Sequence, residues 1–552
     1  MPVNRRRRAS LVDTASRALT ERTTFGRRLV AMRAELRSRR VPLHWTHVFG
    51  VVTMASLAVL FVTGVILMFA YDPSSELARY EGPYVPLQGA EASGAFISVM
   101  RLSFEVPGGL LLRQLHHWAG LLVPVSIMLQ LLVSFFTGAF RRPRRANWVL
   151  LFLLFVVTLA GGWSGYALPD DMLSGSGLRI VEGIVLGIPV LGTWLASLLF
   201  GGAFPGAIIE NLYGIHVLIV PAALLLIVVV RAWRAYRIQP PQFAGSGRRE
   251  DNIVGVPLAT AATRAGGVFA VVTAALFVVA STVTVSPIWV YGPSDPGNAG
   301  AGSQPDWYTG FLDGALRLVP PGWEFEWMGR TVTLAVLVPL AVVGVFLLVV
   351  AAYPFLEEWI TGDRGEHHIL DRPRNVASRT GVGVAGIVFY AALWGAASAD
   401  LIAVAFHVGL EAVILTFQVT LIVGPVIGFV VARRIALALQ KKDLELVVHG
   451  YETGRIVRLP GGRYVELHAG LDEDERARLA HRAVRPIAPR PDEAGRLTRL
   501  DRVRGALAER FFADRVQVPE PAAEAAGAVA GAPHDDAEPA EGGPLSRVDG
   551  AA

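Results

Sequence analysis

No cysteine occurs among the 552 residues. That absence excludes disulfides, thiolate-held iron-sulfur clusters, covalently attached c-type haem and cysteine-zinc sites from anything this chain carries alone. Charge is scarce as well. Asp, Glu, Lys and Arg make up 18% of the residues against 53% hydrophobic, and the mean hydropathy is +0.45, too apolar for one water-soluble body. Transition metals fall to the twelve His and the carboxylates. Also missing is a short apolar run ending in a small-residue cleavage site. MPVNRRRRAS opens a stretch that stays charged to Arg40, so no removable signal peptide is expected and the first apolar segment should persist as a helix.

What the chain does have is long apolar runs. About 30 Å of hydrocarbon needs roughly 20 residues at about 1.5 Å each, and eight spans are expected, near 45–70, 108–139, 147–168, 210–233, 266–289, 331–353, 380–398 and 402–432. The fold class is therefore all-α and integral to a membrane, with a small cytoplasmic C-terminal extension. Residues 180–200 are apolar too, and charge decides their placement. Basic clusters at 5–8, 141–145, 231–249 and 433–442 all fall on the cytoplasmic side only if 180–200 does not cross. That segment reads as re-entrant or interfacial on the outer face, with both termini cytoplasmic. The basic clusters are topological, and no nucleic-acid partner is expected.

By composition the chain divides into a basic N-terminal segment (1–40), four spans (41–240), four more with an outward loop (241–440), a charged cytoplasmic extension (441–515) and a tail (516–552). Within the extension, GRIVRLPGGRYVEL alternates apolar and polar around Pro-Gly-Gly, the pattern of a small hairpin. The tail is too poor in bulky apolar residues to offset ordering entropy and is expected to be disordered.

An ionisable residue inside a span is a functional candidate, and His116, His117 and His216 qualify. The second and fourth helices run in the same direction, and His116 and His216 each lie about two turns past the outer end. Two His at one level on parallel helices can clamp a haem iron from both faces; each can equally hydrogen-bond a neighbouring helix. His117 is rotated about 100° away and cannot share that role.

The surrounding residues resemble the cytochrome b family in its actinobacterial bcc form. The first helix reads HVFGVVTMASLAVLFVTGVILMFAYDPS, with Gly50 and Gly64 fourteen apart; RQLHHWAG sets Arg113 three before His116; GYALPDDMLSGSGLRI ends the third helix and contains Gly165; PDWYTGFLDGALRL follows the fifth. EHHILDRPR after the sixth helix, and VGPVIGFVVARRIALALQKKDLELVVHGYETGRIVRLP from the eighth onward, extend the likeness over roughly residues 40–470. The resemblance implies an N-terminal four-helix haem-binding bundle, with His116 and His216 as iron ligands of an outer b-type haem. It further implies Gly50, Gly64 and Gly165 as clearance for porphyrin, Arg113 as a propionate partner, and a quinol site at Pro305, Asp306, Trp307 and Tyr308. In that site Asp306 would take a proton and Tyr308 orient quinol. It implies as partners a quinol, menaquinol by analogy, together with a Rieske iron-sulfur protein and a c-type cytochrome. Relatives are dimers that associate with a terminal oxidase. His367, His368 and Arg372 resemble positions of an inner quinone site.

The resemblance fails around the family's inner haem. Its ligand positions, fourteen after His116 and fourteen or fifteen after His216, hold Gln130, Val230 and Arg231. A propionate partner is replaced by Val133, and a third-helix glycine by Leu151. Gln and protonated Arg are not haem ligands, so one haem is expected and the second is expected absent. Three readings follow: the cytochrome b subunit of a quinol:cytochrome c reductase, an enzyme of electron transport; a single-haem paralogue without a Q cycle; and a non-catalytic membrane scaffold.

Overall fold

The structure is a computed structural model and describes residues 34–202, 204–295, 304, 306–320, 322–481 and 497–513. Of the sequence readings, the 5–8 basic cluster, Pro305 and the 516–552 tail lie outside those residues. Among the described residues, eight helices are long and apolar enough to cross a bilayer: α1 (His47–Leu67), α2 (Gly109–Phe136), α3 (Arg145–Ala167), α4 (Ile208–Arg237), α5 (Leu258–Thr282), α6 (Leu334–Thr361), α7 (Ala377–Ala396) and α8 (Leu410–His449). In hydrocarbon every backbone N–H and C=O must be satisfied within the segment, which long helices do by themselves.

Residues 180–200 do not make a ninth span. They fall in two short helices, Met172–Leu186 and Gly192–Phe200, broken at Pro189 and at Val190, whose φ is +66°. The longer has 15 residues, about 22 Å at 1.5 Å each, short of the hydrocarbon thickness. Asp171 starts it through a capping box with Ser174.

Two helix positions differ from the sequence reading. α5 begins at Leu258 rather than near 266, because Ala-rich turns around Arg264 are helical without being strongly apolar. α8 begins at Leu410 rather than 402. A separate helix, Ala399–Phe406, ends in a left-handed His407 with φ +53°, and His407 is exposed, not the hydrogen-bonded packing residue its apolar neighbours suggest. At its other end α8 runs to 40 residues, about 60 Å, because the charged stretch after Arg433 consists of strong helix formers. A two-stranded antiparallel hairpin, Tyr451–Arg458 with Tyr464–Ala469, follows it.

Helices α1 to α4 pack into a bundle, α5 lies against α1 and α2, and α7 pairs with α8. The α7–α8 seam is made by small residues: Gly424 faces Val388, and Gly381 faces Phe429, allowing the close approach that helix association in lipid requires. The bundle's apolar core comprises Leu57, Val123, Ile127, Leu131, Trp148, Leu151, Phe155, Val220 and Leu224. Leu57, Val220 and Leu224 line one cavity at one end. Trp148 and Leu151 line a second at the other.

The second end is braced by ions. Arg379 on α7, 1% exposed, donates to Glu357 of α6 at 2.8 Å and 2.5 Å and to Asp371 at 2.9 Å. Arg141, beyond α2, reaches the same Asp371 at 3.0 Å. Removing one member leaves an unpaired buried charge, which typically costs about 3–5 kcal/mol. Arg379→Met should therefore lower the unfolding temperature in detergent far more than Arg249→Met, whose ion pair with Asp251 lies in solvent. Equal losses would remove this cluster from the account of stability.

Candidate functional site

The first cavity, about 280 Å³, opens between α1 to α4 and gathers His116, His117, His216, Gly64, Gly165, Arg113, Asp306 and Tyr308. Counting turns predicts that His116 and His216 share a level, and the structure turns their rings toward each other. The centroids are 6.2 Å apart at 67°, close to the span of two metal–nitrogen bonds of roughly 2 Å plus two ring radii of about 1 Å. Nδ1 of His116 meets the Thr63 hydroxyl at 2.8 Å. Nδ1 of His216 meets the Ser164 hydroxyl and the Gly161 carbonyl, each at 3.1 Å. With Nδ1 oriented by helix neighbours, Nε2 is left for a metal, the usual outer arrangement of a ligating imidazole.

His216 sits in a widened π turn, Ile215–Ile219, where Pro221 withdraws a helical N–H. Such turns re-aim side chains at functional sites. The glycines explain how the rings fit. A Cβ on Gly165 would come within 2.5 Å of His216 Cε1, and one on Gly64 within 3.2 Å of His116 Cε1. Gly50, grouped with them in the sequence reading, belongs to the other end, 3.7 Å from Gln130 Oε1 by the same construction.

Arg113 is buried. One terminal nitrogen donates to the Ser286 carbonyl at 2.6 Å, and the other has no hydrogen-bond partner among the described residues. An unmatched guanidinium N–H beside two facing imidazoles suits an anionic group on a metal-bound ring system, so the donor set fits a bis-histidine haem.

On the cavity's other wall, the Tyr308 hydroxyl donates to Asp306 Oδ2 at 2.7 Å, and His117 Nε2 lies 3.7 Å from the same oxygen. Burial, then the Asp306 charge and its hydrogen bond, hold the Tyr308 hydroxyl well above its ordinary range, so it stays a neutral donor. Gly162 admits the Tyr308 ring, since a Cβ there would lie 2.6 Å from it. Trp307 does not line the cavity; its carbonyl accepts from Trp394 Nε1 at 2.8 Å. His117 is the residue that sequence reasoning set aside. Its rotation away from the His116 position directs it at Asp306, a contact between residues 189 positions apart that local periodicity cannot reveal. Tyr166 lines the same cavity and was also missed.

The second cavity, about 330 Å³, is lined by Gly50, Gln130, Val133, Leu151, Arg231 and the inner loops. Gln130 Nε2 donates to Thr53 Oγ1 at 2.7 Å, and Thr53 meets Ser126 at 2.6 Å. Both terminal nitrogens of Arg231 reach Gln130 Oε1 at 3.4 Å. Arg231 therefore turns into the bundle rather than outward. These residues do not fit a haem: the facing positions carry an amide and a guanidinium, and Leu151 is packed into the core.

His367, His368 and Arg372 do not enter that cavity. His367 pairs with Asp363 at 2.9 Å and Arg141 at 3.3 Å, and Arg372 with Asp443 at 2.9 Å. His368 meets Arg144 at 3.4 Å. Arg144, which lines the cavity, stands between it and these histidines through its bonds to the His367 carbonyl and the His368 ring. Burial, with the Arg141 charge, pushes Arg144 down to about 10, still a cation at neutral pH.

Known proteins resemble this chain over most of its length. Residues 121–293 match the family described as cytochrome b(N-terminal)/b6/petB. The chain is 41% identical over 491 residues to the cytochrome bc1 complex cytochrome b subunit of Streptomyces coelicolor, covering 88% of this chain and 90% of that one. It is 42% identical over 444 residues to the subunit of the same name from Mycobacterium bovis, 80% of each chain. A solved structure titled hyperthermophilic respiratory Complex III superposes with a TM-score of 0.55 at 18% identity, over 76% of this chain and 98% of that one.

Beside the first cavity, burial and then the neighbouring Asp171 push Asp170 up from 3.8 to about 6, against hydrogen bonds from Ser93 and Ser294. The folded chain therefore holds this proton more tightly than the unfolded chain. The stabilisation is complete below about 4 and is lost as pH rises through about 6. The unfolding temperature should fall over that interval, and Asp170→Asn, which also tolerates the φ of +49° at this position, should flatten the fall. An unchanged slope would show that Asp170 does not cause it.

Proposed function

The chain belongs to the cytochrome b family, and from that premise we propose that it is the cytochrome b subunit of a bc1-type quinol:cytochrome c oxidoreductase in a respiratory chain, with one b-type haem between His116 and His216 and a quinol site beside it. The observation that carries the proposal is the meeting of the facing His116 and His216 rings with the Tyr308–Asp306–His117 group in one cavity. A scaffold would have no need to keep a buried, unmatched Arg113 nitrogen beside them.

In this reading the haem, when bound, supplies a one-electron carrier. The chain's residues do the rest. Nε2 of His116 and His216 hold the iron, Thr63, Ser164 and the Gly161 carbonyl fix the rings, and Arg113 answers a propionate. Tyr308 orients the quinol hydroxyl, and Asp306 takes its proton at the oxygen that Tyr308 and His117 face. The Rieske protein and c-type cytochrome that accept electrons, menaquinol as the donor, association as a dimer and with a terminal oxidase, and cytoplasmic termini belong to the same proposal.

The Gln130–Thr53–Arg231 contacts favour the single-haem variant of this function. Without a carrier at that level, an electron would have to cross fourteen residues of helix, about 21 Å. A Q cycle would stall there, and His367, His368 and Arg372 would be structural, as their ion pairs suit.

Purified in detergent, the chain should give one b-type haem per polypeptide in a reduced-minus-oxidised spectrum, and His116→Ala should abolish it. Two haems would overturn the reading of Gln130 and Arg231, and none would leave the scaffold. In the assembled complex, Asp306→Asn should slow quinol oxidation by roughly a hundredfold or more with the haem spectrum intact. An undiminished rate would remove Asp306 from the proton path. Gln130→His with Arg231→His should leave the haem count at one while Leu151 blocks the cavity; a count of two would show that ligands alone were missing.

A further inference from the structure

The second cavity has a composition that its lost role does not explain. Arg144, Arg231 and Arg248 line it together with His44 and His47, and among the described residues no Asp or Glu lines it. The hydrogen-bond acceptors of the three guanidinium groups are neutral: the Ala139, Gln239 and His367 carbonyls and the His368 ring for Arg144, Gln130 for Arg231, and the Phe243 carbonyl for Arg248. Two carboxylates outside the lining, Glu250 and Glu366, act on Arg144 through space, but Glu250 is turned to the backbone N–H groups of His368 and Ile369 and Glu366 to the His368 ring. Several cations around one partly desolvated space without a carboxylate call for an anion.

The rest of the wall sets an apolar stretch, Leu43, Val133, Trp148, Leu151 and Phe243, beside neutral polar groups such as Thr46, Ser134 and Asn147. A volume of about 330 Å³ lies near the lower end of ligand pockets, roughly 300–1,000 Å³, enough for a head group and the start of a chain. From this pairing we infer that the cavity binds the phosphate group of an anionic phospholipid, entering from the leaflet on the Gln130 side. The phosphate sits among Arg144, Arg231 and Arg248, and the first part of an acyl chain lies along Val133 and Leu151. Basic pockets between spanning helices recognise anionic head groups by this chemistry. A free phosphate would satisfy the arginines but would leave the apolar wall wet, which is why the lipid is the occupant chosen.

The inference rests on the single-haem reading, and the test separates the two. The full chain, purified in detergent and stripped of lipid, is offered phosphatidylglycerol, phosphatidylcholine or inorganic phosphate; bound molecules are counted by native mass spectrometry, and haem is measured in the same samples. Phosphatidylglycerol should be retained in preference to phosphatidylcholine and should raise the unfolding temperature. Arg231→Gln and the loop variant Arg248→Gln should each weaken retention by about fivefold, with haem per chain unchanged. Equal retention of phosphatidylcholine, or wild-type retention in both variants, would overturn the inference while the haem reading stands. Protection by inorganic phosphate equal to that by phosphatidylglycerol would assign the site to a free anion and overturn the lipid. A second haem per chain would instead sink the reading beneath it.

Discussion

The close approach of backbone to imidazole at Gly64 and Gly165 is the constraint on which the outer half of the bundle depends. Neither position has room for a Cβ without displacing a histidine ring, so α1 and α3 can lie beside the His116 and His216 rings only as glycine-bearing helices. The ring separation of 6.2 Å follows from that packing, with Thr63 and Ser164 setting the tilt of each ring. The residues proposed to meet quinol depend on it in turn. His117 reaches Asp306 because His116 is held inward, one residue earlier on the same turn.

The other half uses the same helices with a different filling. In a bundle built around a cofactor, the cofactor is itself a packing partner, and its loss leaves either collapse or a polar cavity. Here Gln130, Thr53 and Ser126 tie α1 to α2 by side-chain hydrogen bonds. Arg231 reaches across from α4. Such bonds hold helix spacing in a low-dielectric interior, because the alternative for each group is to be unpaired. The ion cluster of Arg379, Glu357, Asp371 and Arg141 fixes the ends of α2, α6 and α7 below that cavity, so the space stays open instead of closing over.

Much of this was legible in the sequence, and for identifiable reasons. Eight apolar runs are a direct record of hydrocarbon thickness, so the spans could be counted, and the charge rule correctly kept 180–200 from being a ninth. Helix ends were less legible. Beyond the hydrocarbon nothing apolar marks them, and Lys441, Lys442 and Glu445 propagate α8 as well as leucine would. The depths of His116 and His216 came from counting turns. The π turn at His216 left no mark beyond Pro221, and the role of His117 needed a partner far along the chain. Likewise, the reading of His367, His368 and Arg372 as a quinone site could not anticipate Asp363, Arg144 and Asp443, each brought to them by tertiary packing.

The two cavities also differ in the sign of what they lack. The outer one holds a carboxylate, three imidazoles and a half-satisfied guanidinium, a mixture that can hold a metal, accept a proton and answer an anion within one space. The second holds three guanidinium groups and two imidazoles, with no carboxylate among the described residues, a mixture weighted toward holding an anion. Quinol oxidation needs a base beside the quinol, and among the described residues Asp306 is the only carboxylate in either lining. The second cavity offers only imidazoles, His44 and His47, beside a majority of guanidinium groups, so the asymmetry of the two ends is set by their ionisable groups as much as by the residues at the iron-ligand positions.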